Sequence, residues 1–354
     1  MISLESLKRY LVFFGILLLM SDALAHDPEV NLIEKKKTFN FNFNTESDDK
    51  LELSNQFGDI KIIHWKNNQV KATVQVMANA PSNSSLDAFL ETVDVSGTKS
   101  GDLIRISTII SKESLSFKTV HKDKNTNLRI DYTVFMPENM ELKLNNSFGS
   151  VILPEFSSPL HLNLNYCTLT APNIRNLENN INLNYGTANI NSMNGGNLNS
   201  NFTNLNLGNL KNVNLKNNNG RFKARNLEDI EGILNYSQGV LGTIKDAVKL
   251  KLNYTNDLVI EKIDENLKSL EILSNYSDVD LPISLKTNVE FNIKTNHGSF
   301  LVDPALLVRF IKNTETQSKN RSKISNSYQG QIGKSNNPNA KITVISNFGD
   351  VKIK

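Results

Sequence analysis

The sequence predicts an all-β chain, most of it a β-solenoid: a β-helix-like stack of short coils of about 17–22 residues, behind an irregular β-rich N-terminal head. Three observations predict it. Asparagine is in large excess, with 52 residues in 354. A short motif recurs: an apolar residue, two or three residues, usually Asn, then an aromatic, often Gly, then alternating apolar residues. Its centres fall on Phe57, Phe148, Tyr166, Tyr185, Phe202, Asn219, Tyr236, Tyr254, Tyr276, His297 and Phe348. From Phe148 to Tyr254 they recur every 17 to 19 residues, a step that suits one coil of a solenoid.

The first 25 residues read as a secretory signal peptide. Lys8 and Arg9 give the positive start, Leu11 to Met20 the apolar run, and Ala23-Leu24-Ala25 the small-residue cleavage site. The run is shorter than the ~20 residues that span a bilayer, although an uncleaved anchor is the competing reading. No Cys follows it to carry a lipid anchor, and no later stretch is apolar enough for a transmembrane helix. The expected location is therefore exported: periplasm, outer surface or secreted.

Residues 26–135 form the head. Lys37 to Asn44 alternates through Phe39, Phe41 and Phe43, and Val70 to Met77 reads as a second strand. Ser85 to Thr92 suggests a short helix, Gly97 to Gly101 a hairpin turn, and Leu128 to Met136 a strand leading through Pro137 into the first regular coil.

Residues 136–302 hold the regular coils. Asn precedes the motif centre in nine of eleven copies. The residue four before the centre is apolar in ten, with Gly232 the exception. Side chains alternate along a strand, so the apolar positions three and five after the centre are out of phase with the centre. One residue must be absorbed at a corner, and Gly58, Gly149, Gly186, Gly220, Gly298 and Gly349 are its candidates because Gly tolerates positive φ. Asn suits such corners and can hydrogen-bond along a stack. Between His161 and Gly220 there are 22 Asn but four charged residues. A β-sandwich is the competing architecture. Low-complexity disorder is the other alternative, and the fixed apolar positions oppose it.

Residues 303–354 read as a polar loop and closing β-strands. Residues 313–340, with Lys319, Arg321, Lys323 and Lys334, suggest a flexible loop, with a basic contact patch as the sharper alternative. The motif returns at Ser346 to Ile353 as a final strand that would close the stack and protect its edge.

Composition excludes several functions. A net charge of +3 lacks the broad basic excess of a nucleic-acid-coating protein. One Cys rules out an intramolecular disulfide framework or a Cys-cluster zinc site. The histidines (His26, His64, His121, His161, His297) include no pair at metal-ligand spacing, and no phosphate loop or nucleophile elbow is present. No catalytic, cofactor or metal residue is assigned. The features weighed are Cys167 as a nucleophile against packing; Asp59, Asp278, Asp350 and the off-register Asp257 as calcium or sugar ligands against corner residues; and His64–Trp65 as a sugar platform against a packed cap. The glycosylation-like triplets at Asn201, Asn235, Asn253 and Asn275 follow from the motif itself.

Asn55-Gln56-Phe57-Gly58-Asp59-Ile60-Lys61-Ile62-Ile63-His64-Trp65 and Ser346 to Ile353 resemble the bacterial putative-adhesin domain family, a domain of unknown function related to the head domain of putative autotransporter adhesins. The likeness spans roughly residues 36–354 and departs from the pattern at Cys167, in place of the corner Gly, and at His297, in place of an aromatic. It implies an exported, β-solenoid-like protein and brings no catalytic or binding residues with it. Two function classes follow. One is a non-enzymatic adhesin or envelope scaffold whose long surface meets glycans or envelope proteins. The other is a polysaccharide-active β-helix lyase or hydrolase, which would need charged groups converging on one solenoid face. A periplasmic envelope-signalling accessory would look the same in sequence.

Overall fold

The computed structural model describes residues 32–80, 82–111, 127–255, 257–317, 324–335 and 337–354. The signal-peptide segment, His26, His121, Lys319, Arg321 and Lys323 lie outside the described residues. The rest is nearly all β-strand, with one helix, α1 (Asn83–Glu91), packed against β4.

In the N-terminal part, β1 (Ile33–Asn44), β4 (Gln69–Ala80) and β7 (Asn127–Pro137) pair antiparallel in that order. β5 (Val93–Ser100) and β6 (Leu103–Ile110) form a hairpin that turns at Gly101, φ 58°. The turn thus sits at the end of the predicted segment. Gly97 lies within β5, where a Cβ would strike the Phe41 ring. β2 (Lys50–Gln56) lies between β6 and β8 (Glu141–Ile152), parallel to both, and β3 (Ile60–Trp65) runs parallel to β7. The Phe57 motif therefore starts the run of parallel layers from within the head.

The middle is parallel and in register. β8 pairs with β9 (Leu160–Ile174), then follow β10 (Asn180–Asn218), which runs through two layers, β11 (Arg221–Asn235), β12 (Gln238–Asn253) and β13 (Leu258–Asn275). The apolar positions four before each centre meet in the pairing: Leu53 opposite Leu144, Leu144 opposite Leu162, Leu162 opposite Ile181, Leu250 opposite Ile272. All of these are buried. Each such side chain contributes about 1.5–3 kcal/mol on leaving water. Gly232 sits in the same column because a Cβ there would lie 2.8 Å from Leu250 Cδ2, which fills its space.

The C-terminal end departs from the sequence reading twice. β15 (Val289–Asn296) does not pair with β13. The last strands, β19 (Ala340–Asn347) and β20 (Val351–Ile353), fill the layer between them. β19 pairs with β13 on one side and β15 on the other, and β20 lies between β14 (Val279–Leu281) and β16 (Phe300–Val302). The final strand is thus interior, because its alternating Ile342, Val344, Val351 and Ile353 are wholly apolar-faced and buried. The edge is formed instead by residues expected to be a flexible loop: β17 (Val308–Gln317) and β18 (Ile324–Ile332) make an antiparallel hairpin, and β18 pairs with β15. Phe310 and Tyr328 anchor it, packing on Phe291 and Phe300 respectively.

Candidate binding surface

Each motif centre has a left-handed backbone, with φ between 50 and 62° at all eleven. The sequence reading assigned that conformation to the following Gly. Gly58, Gly149, Gly186, Gly220, Gly298 and Gly349 are instead absent from the positive-φ residues. Their role is close approach: a Cβ on Gly149 would lie 2.0 Å from the Gly58 carbonyl oxygen, and one on Gly186 2.0 Å from that of Cys167. The residue absorbed at the corner is therefore the aromatic itself, and the turn aims its ring outward.

Those rings form a column along one edge. Phe57, Phe148, Tyr166, Tyr185 and Phe202 stack with centroid separations of 5.4, 5.0, 4.8 and 5.0 Å. Tyr236, Tyr254, Tyr276, Phe348 and His297 stack at 5.0, 4.7, 4.8 and 4.8 Å. The separations match the strand spacing and lie in the favourable range for offset stacking. Nine of the ten rings are exposed, Tyr166 at 53% and Tyr236 at 60%, while Phe57 at the head end is partly covered. Asn219 interrupts the column, leaving two runs of five rings.

Beneath the rings, the preceding Asn residues form an amide ladder. Asn184 Nδ2 donates to Asn165 Oδ1 at 3.1 Å, and the pattern continues through Asn201, Asn218, Asn235, Asn253, Asn275, Asn347 and Asn296 at 2.6–2.8 Å. A carboxamide carries both donor and acceptor, so one residue type repeats indefinitely along the stack, where a carboxylate would repel its neighbour. This ladder explains much of the Asn excess. It also occupies the amide nitrogens of all four glycosylation-like triplets.

The other residues weighed in the sequence fall into structural places. Asp278 Oδ1 accepts the Asp350 N–H at 2.8 Å, Asp350 Oδ1 the Ser299 N–H at 2.8 Å, and Asp59 Oδ1 the Ser150 N–H at 2.7 Å. They bridge corners of adjacent layers. Asp257 has its own left-handed φ of 55°. Trp65 Nε1 donates to the Gln69 carbonyl at 2.7 Å and its ring tilts against Phe135, while His64 tilts against Phe156. Burial holds the His64 imidazole below its ordinary range. The two do not form a flat platform. Cys167 is buried, its Sγ directed at the Asn165 carbonyl at 3.2 Å, and burial pushes the thiol up, opposite to an activated nucleophile. His161 Nε2 lies 3.6 Å from Glu141 Oε1, and His297 closes the aromatic column.

Two features escaped the sequence reading. A second left-handed corner occurs at Asn212, Asp229 and Asp246, each ten residues after its centre, and their 17-residue spacing is visible in the sequence. Glu228, Asp229 and Asp246 cluster there, but Lys211 pairs with Glu228 and Lys268 with Asp246. The other is an open groove of about 830 Å3 across the face four to six residues beyond the centres, where Lys223, Arg225 and Glu261 meet Asn189, Asn191 and Asn206.

No protein-family model matches the chain, and no curated protein matches it. The family read from the motif is therefore not established by comparison. Among solved structures, a putative adhesin from Bacteroides fragilis aligns over 90% of this chain and 98% of its own at 10% identity, with a TM-score of 0.32. A putative cell adhesion protein from Clostridium sporogenes covers 90% and 99% at 11% identity and a TM-score of 0.25. A putative lipid binding protein from Parabacteroides distasonis covers 90% and 97% at 12% identity and a TM-score of 0.29. Those names belong to those proteins. Among the described residues no helix is long and apolar enough to cross a membrane.

Proposed function

We propose that this chain is an exported, non-enzymatic binding or scaffold protein of the bacterial putative-adhesin kind, a β-solenoid whose contact surface is the aromatic column. The solenoid reading is supported by parallel pairing in register with displacements of 17 to 19 residues, such as Asn204 opposite Arg221 and Gly239 opposite Leu258. The functional reading is carried by one observation: two runs of five stacked rings, nine of the ten exposed, stand along a single edge. Left-handed backbone costs about 1–2 kcal/mol at each such residue. Exposed apolar side chains are ordinary when scattered and informative when contiguous. A linear array of ring faces suits an extended partner, a glycan chain or an envelope protein.

The test begins with protease shaving of intact cells against a lysed control. Loss on intact cells is expected and places the chain outside; protection until lysis would end the adhesive role and leave an envelope scaffold. Purified chain is then bound to envelope polysaccharide and protein fractions, alongside a Phe148→Asn/Tyr166→Asn variant. Asn already occupies the same backbone conformation at position 219, so the variant keeps the fold. Binding is expected to fall at least tenfold, and binding indifferent to the variant would sink the column as the contact surface.

One observation favours a second reading, a polysaccharide-active lyase or hydrolase: Lys223, Arg225 and Glu261 line the groove on the coil face. Release of new reducing or unsaturated ends from a polysaccharide panel, abolished by Arg225→Gln or Glu261→Gln, would establish it. No release from any polysaccharide would remove it.

A further inference from the structure

The gap in the column has the dimensions of a missing rung. At Asn219 the backbone turns as it does at every other centre, φ 54°, but the side chain is an amide that stops short of where a ring would lie. Phe202 precedes it and Tyr236 follows it by one layer each, so their ring faces look at each other across two strand spacings, roughly 9.5 Å. Between them is a slot of about 360 Å3 lined also by Asn219 and by Asn204, Arg221 and Gln238, which pair in register on adjacent layers. One planar ring placed there would sit about one strand spacing from each neighbour, as every ring in the two runs does. Phe202 and Tyr236 are 52% and 60% exposed, so the slot opens to solvent.

The polar groups of the slot are unengaged. Among the described residues neither the Asn219 amide nor the Arg221 guanidinium has a side-chain partner, whereas the Asn residues one position earlier are all tied into the amide ladder. An Arg beside a slot between two ring faces recognises a planar group that carries an anion, through charge-assisted bonds to a carboxylate.

We infer that the Asn219 gap is a binding slot for a planar aromatic ring bearing a carboxylate, which intercalates between Phe202 and Tyr236 and pairs with Arg221. This rests on the reading of the column as the contact surface and supplies its ligand chemistry. The ring can come from a free aromatic acid or from an aromatic residue at the carboxyl end of a polypeptide.

Calorimetric titration of the full chain with N-acetyltryptophan, its uncharged amide and cyclohexanecarboxylate tests the slot. The acid is expected to bind at millimolar concentration or below, the amide about tenfold more weakly, and the non-planar acid not measurably. Asn219→Phe, which completes the column with a residue that already takes this backbone at Phe202, should abolish binding. Tyr236→Asn, which removes one wall, should abolish it independently of whether the first variant folds. Arg221→Gln should bring the acid down to the amide. A short peptide ending in Trp that binds as well as the free acid makes a polypeptide end the source, and binding by the free acid alone makes it a small molecule. No binding of the acid, equal binding of cyclohexanecarboxylate, or binding untouched by Asn219→Phe and Tyr236→Asn overturns the slot. So does a concentration-dependent dimer lost in Asn219→Phe, which would make a second copy the occupant. The Phe148→Asn/Tyr166→Asn variant leaves the slot intact, so failure of the extended surface and failure of the slot are read separately.

Discussion

Between Leu160 and Asn275 neighbouring layers meet through parallel backbone pairing, apolar columns and amide ladders, with exposed ion pairs such as Lys211–Glu228 and Lys249–Glu231 beside them. Between Ile33 and Pro137 the pairing is mixed, antiparallel in β1–β4, β4–β7 and β5–β6 and parallel in β2–β6 and β3–β7, with a helix and ion pairs added. In the head, Lys99 pairs with Asp49 at 2.7 Å, and Arg129 holds Asp131 at 2.7 Å and Asp59 at 2.9 Å. In the middle, Asn235 takes one bond of 2.6 Å on each side and no charge is involved. The contrast teaches that a translational stack favours self-complementary groups wherever a side chain faces a copy of itself, as Asn235 does, and pairs opposite charges where the repeat changes residue, as Lys211 and Glu228 do. A sheet end faces something different and can use opposite charges.

The largest expected break in the comparison comes from the last layer. Removing residues 340–354 takes away Ile342, Val344, Val351 and Ile353, all buried between the Tyr276 and His297 layers. At about 1.5–3 kcal/mol per buried side chain the loss is on the order of 6–12 kcal/mol before any collapse of the gap. Limited proteolysis should show the C-terminal layers cleaved while the head, at the far end of the stack, stays resistant. Uniform resistance would mean that the inserted strand contributes little, and uniform cleavage that head and middle fold as one unit.

Next comes the head's own buried phenol. Tyr132 is 1% exposed and its hydroxyl lies 2.7 Å from Thr108 Oγ1, which donates to Asn55 Oδ1. Burial pushes the Tyr132 phenol from its ordinary value near 10 up to about 12. The folded chain therefore keeps a proton that the unfolded chain releases. Stability from this group is complete below pH 10 and is lost as pH rises through the folded value of about 12, by about 2–3 kcal/mol in all. Urea unfolding from pH 9 to 12 should show this loss, and Tyr132→Phe should remove that component. An unchanged pH slope in the variant would exclude Tyr132 as its source.

The middle was far more legible in the sequence than either end. Leu162, Ile181, Leu250 and Ile272 repeat because each layer presents the same inward position, so a period in sequence is a column in space. The head offers no such period: α1 and the β5–β6 hairpin were read from local turn chemistry, and the pairing of β2 with β6 and β8 was not. The insertion of β19 between β13 and β15 left no local trace, since a strand's neighbours are set by long-range pairing. The candidate surface was half legible. Its aromatics were found as centres, but strict period-2 alternation places residues four apart, such as Leu144 and Phe148, on one face. The left-handed turn at Phe148 reverses that, and the strain moved from Gly149 to the ring-bearing residue.

A smaller break tests the ladder itself. Asn235→Ala removes two amide bonds, to Asn218 and from Asn253. At about 0.5–1.5 kcal/mol net per bond the cost is about 1–3 kcal/mol, read as a shift of the urea midpoint without a change in slope. Asn235→Asp keeps the shape but removes the donor and sets a carboxylate against the Asn218 carbonyl, so its cost should grow as pH rises through the carboxylate range. A pH-independent penalty equal to that of the Ala variant would mean that the ladder contributes packing alone.

The smallest expected effect sharpens the comparison without any mutation. The Arg129 side chain is 56% exposed and Asp59 40%, so their pair sits in water and contributes at most about 1 kcal/mol. Near 1 M salt the Debye length falls to about 3 Å, and this contribution fades. The amide ladder carries no net charge to screen. Amide hydrogen exchange at low and high salt should therefore show protection falling slightly at Asp59 and Ser150, whose N–H groups are held by Asp131 and Asp59. Protection at Asn218 and Asn235 should stay unchanged. An equal fall in both places would mean that salt acts on the whole stack, and the contrast between the Arg129–Asp59 pair and the amide ladder would have no energetic content.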